Sequence, residues 1–155
     1  MQTELRVAAY AVCVSDGRIL LARWVDRAGV KRWTLPGGGV DHGELPVEAV
    51  VREVDEETGY AAEATALLGI DSIRRQRTRP LGGSYDWQGL RILYEVRITG
   101  GELRNEEDGS TDLAAWHPLE SVASLARVEL VDIGLQLWRD RPPLGHSPLH
   151  DPANG

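Results

Sequence analysis

The sequence predicts one domain of the α/β (α+β) class, with helices packed on a mixed β-sheet. Two observations lead to this class: segments with strand-like patterns outnumber helical ones, and the two kinds follow each other in mixed order. The chain has 155 residues, which is the length of one ordinary domain with room for a core. We find no internal repeat. The domain is expected to span 1–140, and the proline-, glycine- and histidine-rich segment 141–155 to form a disordered tail or an arm onto a neighbour.

The composition is typical of a water-soluble globular protein, with 42% apolar and 26% charged residues. No apolar run is long enough to cross a bilayer, and the N-terminus lacks the pattern of a secretory signal. The only cysteine, Cys13, lies in an apolar run and is expected to be a buried, inert thiol. These features together predict a cytoplasmic protein without a membrane association.

The net charge of −7 disfavours a protein that binds duplex nucleic acid, because such binding depends on cationic side chains that neutralise phosphates. The same charge is compatible with small phosphorylated ligands when metal ions supply the positive charge. The sequence therefore favours a small-molecule ligand over a nucleic-acid partner.

The first half of the chain begins with two β-like apolar runs, 5–14 and 18–24, which the turn-forming residues 15–17 join as a hairpin. A short strand is expected at 33–36. Glycines at 37–39 break that strand into an open turn.

A helix is predicted between Pro46, which suits the first helical turn, and Gly59, which suits the position just after the last turn. Apolar residues between them recur at helical spacing and form one stripe: Val47, Val50, Val51 and Val54. Valine has a modest helix propensity, but the spacing and both end signals outweigh it.

The second half of the chain predicts further strands, polar loops and one more helix. In chain order these are a strand at 61–78, a loop at 80–89, a strand at 90–98, an acidic loop at 100–112, a short strand near 113–118 and a helix at 126–139. The strand at 61–78 ends in a basic cluster at 74–79.

The predicted helix carries Glu53, Glu56 and Glu57 on one face, next to the apolar stripe, whereas Glu48 and Asp55 point elsewhere. Carboxylates at this spacing repel one another and weaken a helix. One interpretation is an ordinary solvated acidic face. The other is a cation site, because carboxylate oxygens suit hard ions such as Mg²⁺, and Mn²⁺ is also plausible.

The context of the helix favours the cation site. From Gly38 to Tyr60 the sequence GGVDHGELPVEAVVREVDEETGY resembles the Nudix box, G-x5-E-x7-R-E-U-x-E-E-x-G-U, where U is a bulky aliphatic residue. All seven fixed letters match. The one departure is Tyr60, an aromatic residue at an aliphatic position, which we interpret as a packing variant. The resemblance extends over roughly residues 6–139 and implies the Nudix fold, a mixed sheet sandwiched between helices (α/β/α).

The resemblance implies roles for individual residues of the box. Glu53, Glu56 and Glu57 would be metal ligands, and a backbone carbonyl at Gly37 would be another. Arg52 would orient Glu53 through a charge-assisted hydrogen bond and so take part in catalysis.

Other motif residues have less specific roles. Glu44 would either reach a metal through water or interact with the helix dipole. Gly38 would let the backbone approach the site closely. Gly59 would serve the fold rather than the chemistry.

The general base and the substrate contacts lie outside what the motif determines. The base would be in the box or on the acidic loop, which offers Glu106, Glu107, Asp108 and Asp112. Phosphates would be held by Arg23, Arg27 or the cluster at 74–79. A base would stack on one of three aromatic side chains: Trp24, Tyr85 or Trp87.

The expected function is therefore that of a Nudix pyrophosphohydrolase, an Mg²⁺-dependent enzyme acting on acid anhydrides in phosphorus-containing compounds. Its substrate would be a nucleoside diphosphate linked to another group, either a (d)NTP or a nucleotide sugar such as ADP-ribose. The alternative is a non-catalytic Nudix-fold module that binds or senses a nucleotide. A homodimer is possible, since many members of the family pair.

Overall fold

A computed structural model describes residues 1–149 of the chain. Its elements follow the mixed order that the sequence predicts. They are β1 (Gln2–Val12), β2 (Val14–Ser15), β3 (Arg18–Val25), β4 (Lys31–Thr34), β5 (Gly37–Gly39), α1 (Pro46–Thr58), β6 (Tyr60–Thr78), β7 (Ser84–Gly101), β8 (Thr111–Pro118), a 3-10 helix (Leu119–Ser124) and α2 (Glu129–Asp140). None of the described helices is both long and apolar enough to span a membrane.

The strands form two four-stranded sheets. The first has the order β5-β1-β7-β6 and is mixed, because β1 and β7 run parallel while the outer strands pair antiparallel. The second is antiparallel, with β3 paired to β8 along one edge and to β2 and β4 along the other. Strand periodicity does not reveal which strands pair, so the division into two sheets emerges only in the tertiary structure.

The hydrophobic core consists of two apolar clusters, one next to α1 and the other next to α2, and strand β1 contributes to both. Ala11 and Val12 are consecutive in β1 and belong to different apolar clusters, because successive side chains of a strand point to opposite faces. The cluster next to α1 contains Ala9, Ala11, Cys13, Leu20, Ala49, Val50, Val54 and Val96. The cluster next to α2 contains Val12, Ile19, Leu21, Leu35, Leu68 and Leu93 with Leu130, Val131, Ile133, Leu135 and Leu137 of α2. The prediction of strands packed between helices is confirmed.

Helix α1 begins and ends where its end signals predict. Gly59 adopts a left-handed φ of 83°, and its N–H donates to the carbonyl of Asp55 to close the last turn. Val50 and Val54 are fully buried, as expected from the apolar stripe. Val47 differs, because it lies in the first turn and is 38% exposed, while Ala49 completes the buried face.

The turn between β2 and β3 is also as predicted. Asp16 and Gly17 both have positive φ, 52° and 73°, and their neighbours Ser15 and Arg18 pair across the turn. Two consecutive positive φ angles are those of the hairpin turn that matches the twist of antiparallel strands.

The prediction of a loop at 80–89 is wrong for most of that segment. Strand β7 begins at Ser84, and β6 and β7 pair continuously from Thr78 opposite Ser84 into the body of the sheet. Only 79–83 reverse the chain, with Gly82 and Gly83 at positive φ. The polar residues at 84–89 form a strand because contacts with the neighbouring strand β6 stabilise them. For example, the guanidinium of Arg77 on β6 lies 4.0 Å from the centroid of the Trp87 ring on β7.

The described part of the predicted tail, 141–149, packs on the domain. The N–H of Ile70 donates to the carbonyl of Gly145 at 3.0 Å, and Ser147 is buried. The contact requires glycine, because a Cβ on Gly69 would lie 2.3 Å from the Gly145 carbonyl oxygen. The first nine residues of the segment 141–155 that was predicted as a tail are therefore in contact with the first sheet, and 150–155 lie outside the described residues.

Two packing predictions are confirmed close to α1. The hydroxyl of Tyr60 accepts a hydrogen bond from the Trp116 indole at 3.0 Å, which an aliphatic residue could not do. Cys13 is buried, and burial raises its pKa to about 11, so its thiol stays protonated at neutral pH.

Candidate active site

The acidic face of α1 lies against the glycine strand β5. The carboxylate of Glu57 is almost completely buried, and its Oε2 accepts a hydrogen bond from the Gly37 N–H at 2.8 Å. A Cβ on Gly38 would lie 2.6 Å from Oε1 of Glu53, and a Cβ on Gly37 would lie 2.3 Å from the carbonyl oxygen of Ala9. The two glycines therefore permit β5 to fit between α1 and β1.

Arg52 is at the centre of the charged network. Its Nε and Nη2 donate to both oxygens of Glu44, at 2.9 and 3.0 Å, in the planar two-point arrangement that guanidinium favours. Its Nη1 donates to Glu53 at 3.1 Å and more weakly to Glu56 at 3.3 Å. Its Nη2 also donates to the Gly39 carbonyl at 3.1 Å. These contacts place the Arg52 guanidinium between Glu44 and the carboxylates of Glu53 and Glu56.

Glu44 has a contact that was not predicted from the sequence. Its carboxylate is paired with Arg52 and accepts the Asp41 N–H at 3.0 Å. These hydrogen bonds, Arg52 first, lower the pKa of Glu44 to about 2. At the helix N-terminus a different residue, Glu48, accepts the Leu45 N–H at 2.9 Å. Glu44 thus acts on the site through Arg52.

Burial perturbs the two inner carboxylates. Burial raises the pKa of Glu57 well above the ordinary value, and repulsion from Glu53 raises it further. The hydrogen bond from the Gly37 N–H lowers this pKa but only partly offsets the rise. Burial also raises the pKa of Glu53, although the charge of Arg52 acts in the opposite direction. Such shifts indicate that the site is electrostatically unfavourable for carboxylates until positive charge is added.

The donor chemistry of the site fits a hard divalent cation. Glu53, Glu56 and Glu57 line one cleft together with the three glycines of β5, and a cation there would relieve their repulsion. Among residues 1–149, no group of three His, Cys, Asp or Glu side chains is already arranged so that it could hold a metal ion. The reason is visible in the contacts, since Arg52 binds Glu53 and Glu56 while Gly37 binds Glu57. Cation binding would therefore require these side chains to reorient.

The cleft has a volume of about 520 Å³, and one part of its lining is basic. The arginines that line it are Arg6, Arg75, Arg77 and Arg91. Trp24 also lines the cleft and remains available for stacking, with 37% of its surface exposed. Acidic and basic side chains therefore share one cavity.

Several residues predicted to bind substrate lie elsewhere. Arg23 donates two hydrogen bonds to Asp112, both at 3.0 Å, and is not part of the cleft lining. Arg27 lies on an exposed loop and does not line the cleft either. Trp87 is only 8% exposed beneath Arg77, so its ring face is not open to a base.

Of the basic cluster at 74–79, Arg75 and Arg77 line the cleft. Arg74 instead pairs with Asp86. The lining residues Arg6 and Arg91 lie outside every predicted site. The two-residue alternation of β1 and β7 determines which face of its strand each of these arginines occupies. The sequence does not show that the two strands are neighbours, so the two arginines come together only when β1 and β7 pair.

The acidic loop contributes Glu106 to the cleft. Its Oε2 accepts a hydrogen bond from the Thr111 hydroxyl at 2.6 Å, and its charge raises the pKa of both Glu53 and Glu57. Asp112 pairs with Arg23 and Lys31, which lower its pKa to about 2. Glu107 and Asp108 do not line the cleft. Of the four loop carboxylates, Glu106 is therefore the one that lines the cleft.

An acidic helix face beside a glycine strand, in one cleft with arginines, is a site suited to phosphate chemistry. The NUDIX domain model matches residues 3–135. The chain therefore belongs to the Nudix family of pyrophosphohydrolases.

Individual relatives agree with this assignment. The RNA pyrophosphohydrolase of Halorhodospira halophila is 35% identical over 129 residues, which cover 75% of this chain and 70% of the relative. The ADP-ribose pyrophosphatase of Methanocaldococcus jannaschii is 32% identical over 120 residues, covering 77% and 66%. A NUDIX hydrolase structure from Nitrosomonas europaea matches with a TM-score of 0.69 at 24% identity, covering 88% of this chain and 89% of that one, which shows the fold.

Proposed function

We propose that this chain is an Mg²⁺-dependent enzyme that hydrolyses the diphosphate bond of a nucleoside diphosphate linked to a further group. Mn²⁺ is a plausible substitute, since it prefers similar oxygen ligands. The observation that carries the proposal is the shared cleft, in which Glu53, Glu56 and Glu57 lie with the arginines of β1, β6 and β7. The carboxylates and Gly37 would hold the cation, while the arginines would hold phosphate oxygens.

When bound, the divalent cation would withdraw charge from the phosphoryl oxygens and make water more acidic. The chain itself orients the reacting groups. Arg52 fixes Glu53 and Glu56 from behind, and the Gly37 N–H fixes Glu57. Glu106 is placed to accept the proton of the attacking water, because it faces the same cleft and is itself anchored by Thr111.

Replacing Glu106 with glutamine tests the assignment of the base. We expect Glu106→Gln to lower kcat by about a hundredfold or more, because the amide keeps the hydrogen bond from Thr111 but cannot accept a proton. Glu107→Gln, one residue further along and outside the cleft lining, is the matched control and should retain activity. Equal kcat values for the two variants would assign the base elsewhere.

The function as a whole is tested by incubating the purified chain with (d)NTPs and ADP-ribose in the presence of Mg²⁺ or Mn²⁺. Chromatographic identification of the products shows which P–O–P bond is broken, and EDTA should abolish turnover. Binding of these nucleotides without hydrolysis of any of them would instead identify a binding or sensor module.

A further inference from the structure

The basic part of the cleft is one face of the first sheet. Arg75 and Arg77 alternate along β6 and share a face, since no bulge interrupts the pairing between 70 and 78. Arg6 of β1 lies opposite Gly89 of β7, which in turn pairs with Ile73 of β6. Three neighbouring strands therefore bring their arginines to the same side.

This face continues past the acidic residues as a groove. A second hollow of about 110 Å³ shares six lining residues with the cleft: Arg6, Tyr10, Ile73, Arg75, Arg77 and Arg91. Ala8 and Gly89 also line this hollow, and their small size keeps it open. A Cβ on Gly89 would lie 2.7 Å from the Trp87 ring and 3.1 Å from Ile73. The groove is thus a direct extension of the active-site cleft.

The charges in the groove are incompletely balanced by the protein. Arg91 is paired with Asp71 at 2.5 Å. Within 1–149, no carboxylate lies at ion-pair distance from Arg6 or Arg77. Arg77 is nevertheless well oriented, because its guanidinium lies on the Trp87 ring. Oriented guanidinium groups without carboxylate partners favour an anionic ligand with several oxygen atoms.

We propose that the substrate carries a chain of three or more phosphates, and that Arg6 and Arg77 bind a phosphate beyond the hydrolysed diphosphate. This inference rests on the proposed function, because the acidic residues and their cation would hold the diphosphate itself. A substrate that continues into an uncharged sugar would give these arginines no anionic partner. A free nucleoside triphosphate and the triphosphate end of an RNA share the required chemistry.

The reaction remains a hydrolysis. The oxygen of water joins one phosphorus, one of its protons passes to Glu106, and the bridging oxygen leaves with the other phosphate. Neither an oxidant nor a further reactant is needed.

The test compares kcat/KM for ATP, ADP-ribose and a short 5′-triphosphorylated RNA in the full chain and in two variants, Arg6→Gln and Arg77→Gln. Arg74→Gln is the matched control, because it removes the same charge from the strand that carries Arg77 but its side chain pairs with Asp86 rather than lining the cleft. A thermal melt of each variant verifies that the fold is intact. Binding of inorganic tripolyphosphate and of pyrophosphate, measured by calorimetry without metal, is followed in parallel.

We expect ATP or the RNA to be the better substrate, and each cleft variant to lower its kcat/KM about tenfold, mainly through KM. In the same variants, kcat/KM for ADP-ribose should fall by a clearly smaller factor than kcat/KM for ATP or the RNA. The ratio of ATP to RNA turnover distinguishes a free nucleotide from an RNA end. An equal effect on ATP and ADP-ribose, or no effect on either, would overturn the inference while leaving the proposed function intact. If nothing is hydrolysed, the proposed function fails, and loss of tripolyphosphate binding in Arg77→Gln then decides the inference independently.

Discussion

Glu57→Gln should lower kcat with Mg²⁺ by at least about a hundredfold while the fold remains intact. The reason is that glutamine keeps an oxygen to accept the Gly37 N–H but removes the negative charge that a cation would need. Glu53→Gln should have a comparable effect, because Glu53 shares the cleft and retains its contact with Arg52 through the amide oxygen. Steady-state kinetics across Mg²⁺ concentrations measure the loss. Near-wild-type rates in either variant would remove that residue from the ligand set.

Glu57→Gln should also change the way in which the stability of the fold depends on pH. Because burial raises the pKa of Glu57 in the folded chain, its stabilising contribution is complete below the ordinary value of 4.5 and is lost as pH rises through the folded pKa. Without metal, the Tm of the wild type should therefore fall relative to that of Glu57→Gln as the pH rises above the ordinary value of 4.5. Adding Mg²⁺ near neutral pH should raise the Tm of the wild type more than that of the variant.

An exposed glutamate supplies the control for that measurement. Glu120→Gln removes the same charge from the surface of the 3-10 helix and should leave the relative pH curve unchanged. If Glu57→Gln and Glu120→Gln gave the same curve, the buried carboxylate would not be the source of the pH dependence.

Arg52→Lys should be nearly as damaging as loss of a glutamate, although the charge is preserved. A single ammonium cannot donate simultaneously to both oxygens of Glu44, to Glu53 and to the Gly39 carbonyl. We expect unfolding free energy to fall by about 2 kcal/mol, as typical for charge-assisted hydrogen bonds, and kcat to fall by about a hundredfold. Chemical denaturation and kinetics on the same preparation measure the two effects.

The matched control is Arg104→Lys. Arg104 pairs with Asp55 on the exposed side of the same helix, at 3.6 Å, and its loss should have little effect on stability. Equal behaviour of the two variants would mean that Arg52 contributes only a surface charge. Loss of stability without loss of kcat would leave it a purely structural residue.

The parts of the site that the sequence predicts are those encoded in contiguous residues. Helix α1 begins at Pro46 and ends before Gly59 because both signals act within one helical turn. The shared face of Glu53, Glu56 and Glu57 follows from helical periodicity alone, and the resemblance to the Nudix box adds the role of Arg52. These conclusions need no knowledge of how distant segments meet.

The role of Glu44 illustrates the opposite case. The sequence places it before the helix, but only the folded turn brings both of its oxygens to Arg52. The strand at 84–89 is a second example, because polar residues there are stabilised by their partners on β6 rather than by local propensity. Packing of 141–149 on Gly69 is a third, since it depends on close approach of two glycines far apart in the chain.

By itself, then, the sequence determined the acidic helix and its end points, and the resemblance to the family motif implied chemistry with phosphate and a cation. The tertiary structure decided what faces that helix. Of the four candidate loop carboxylates, Glu106 lines the cleft. Of the candidate arginines, Arg75 and Arg77 of the cluster at 74–79 line it, whereas Arg23 and Arg27 do not, and the unpredicted Arg6 and Arg91 join them. The physical reason is that helix signals are local, whereas the basic wall forms only when β1, β6 and β7 pair in one register and turn their alternate residues to the same face.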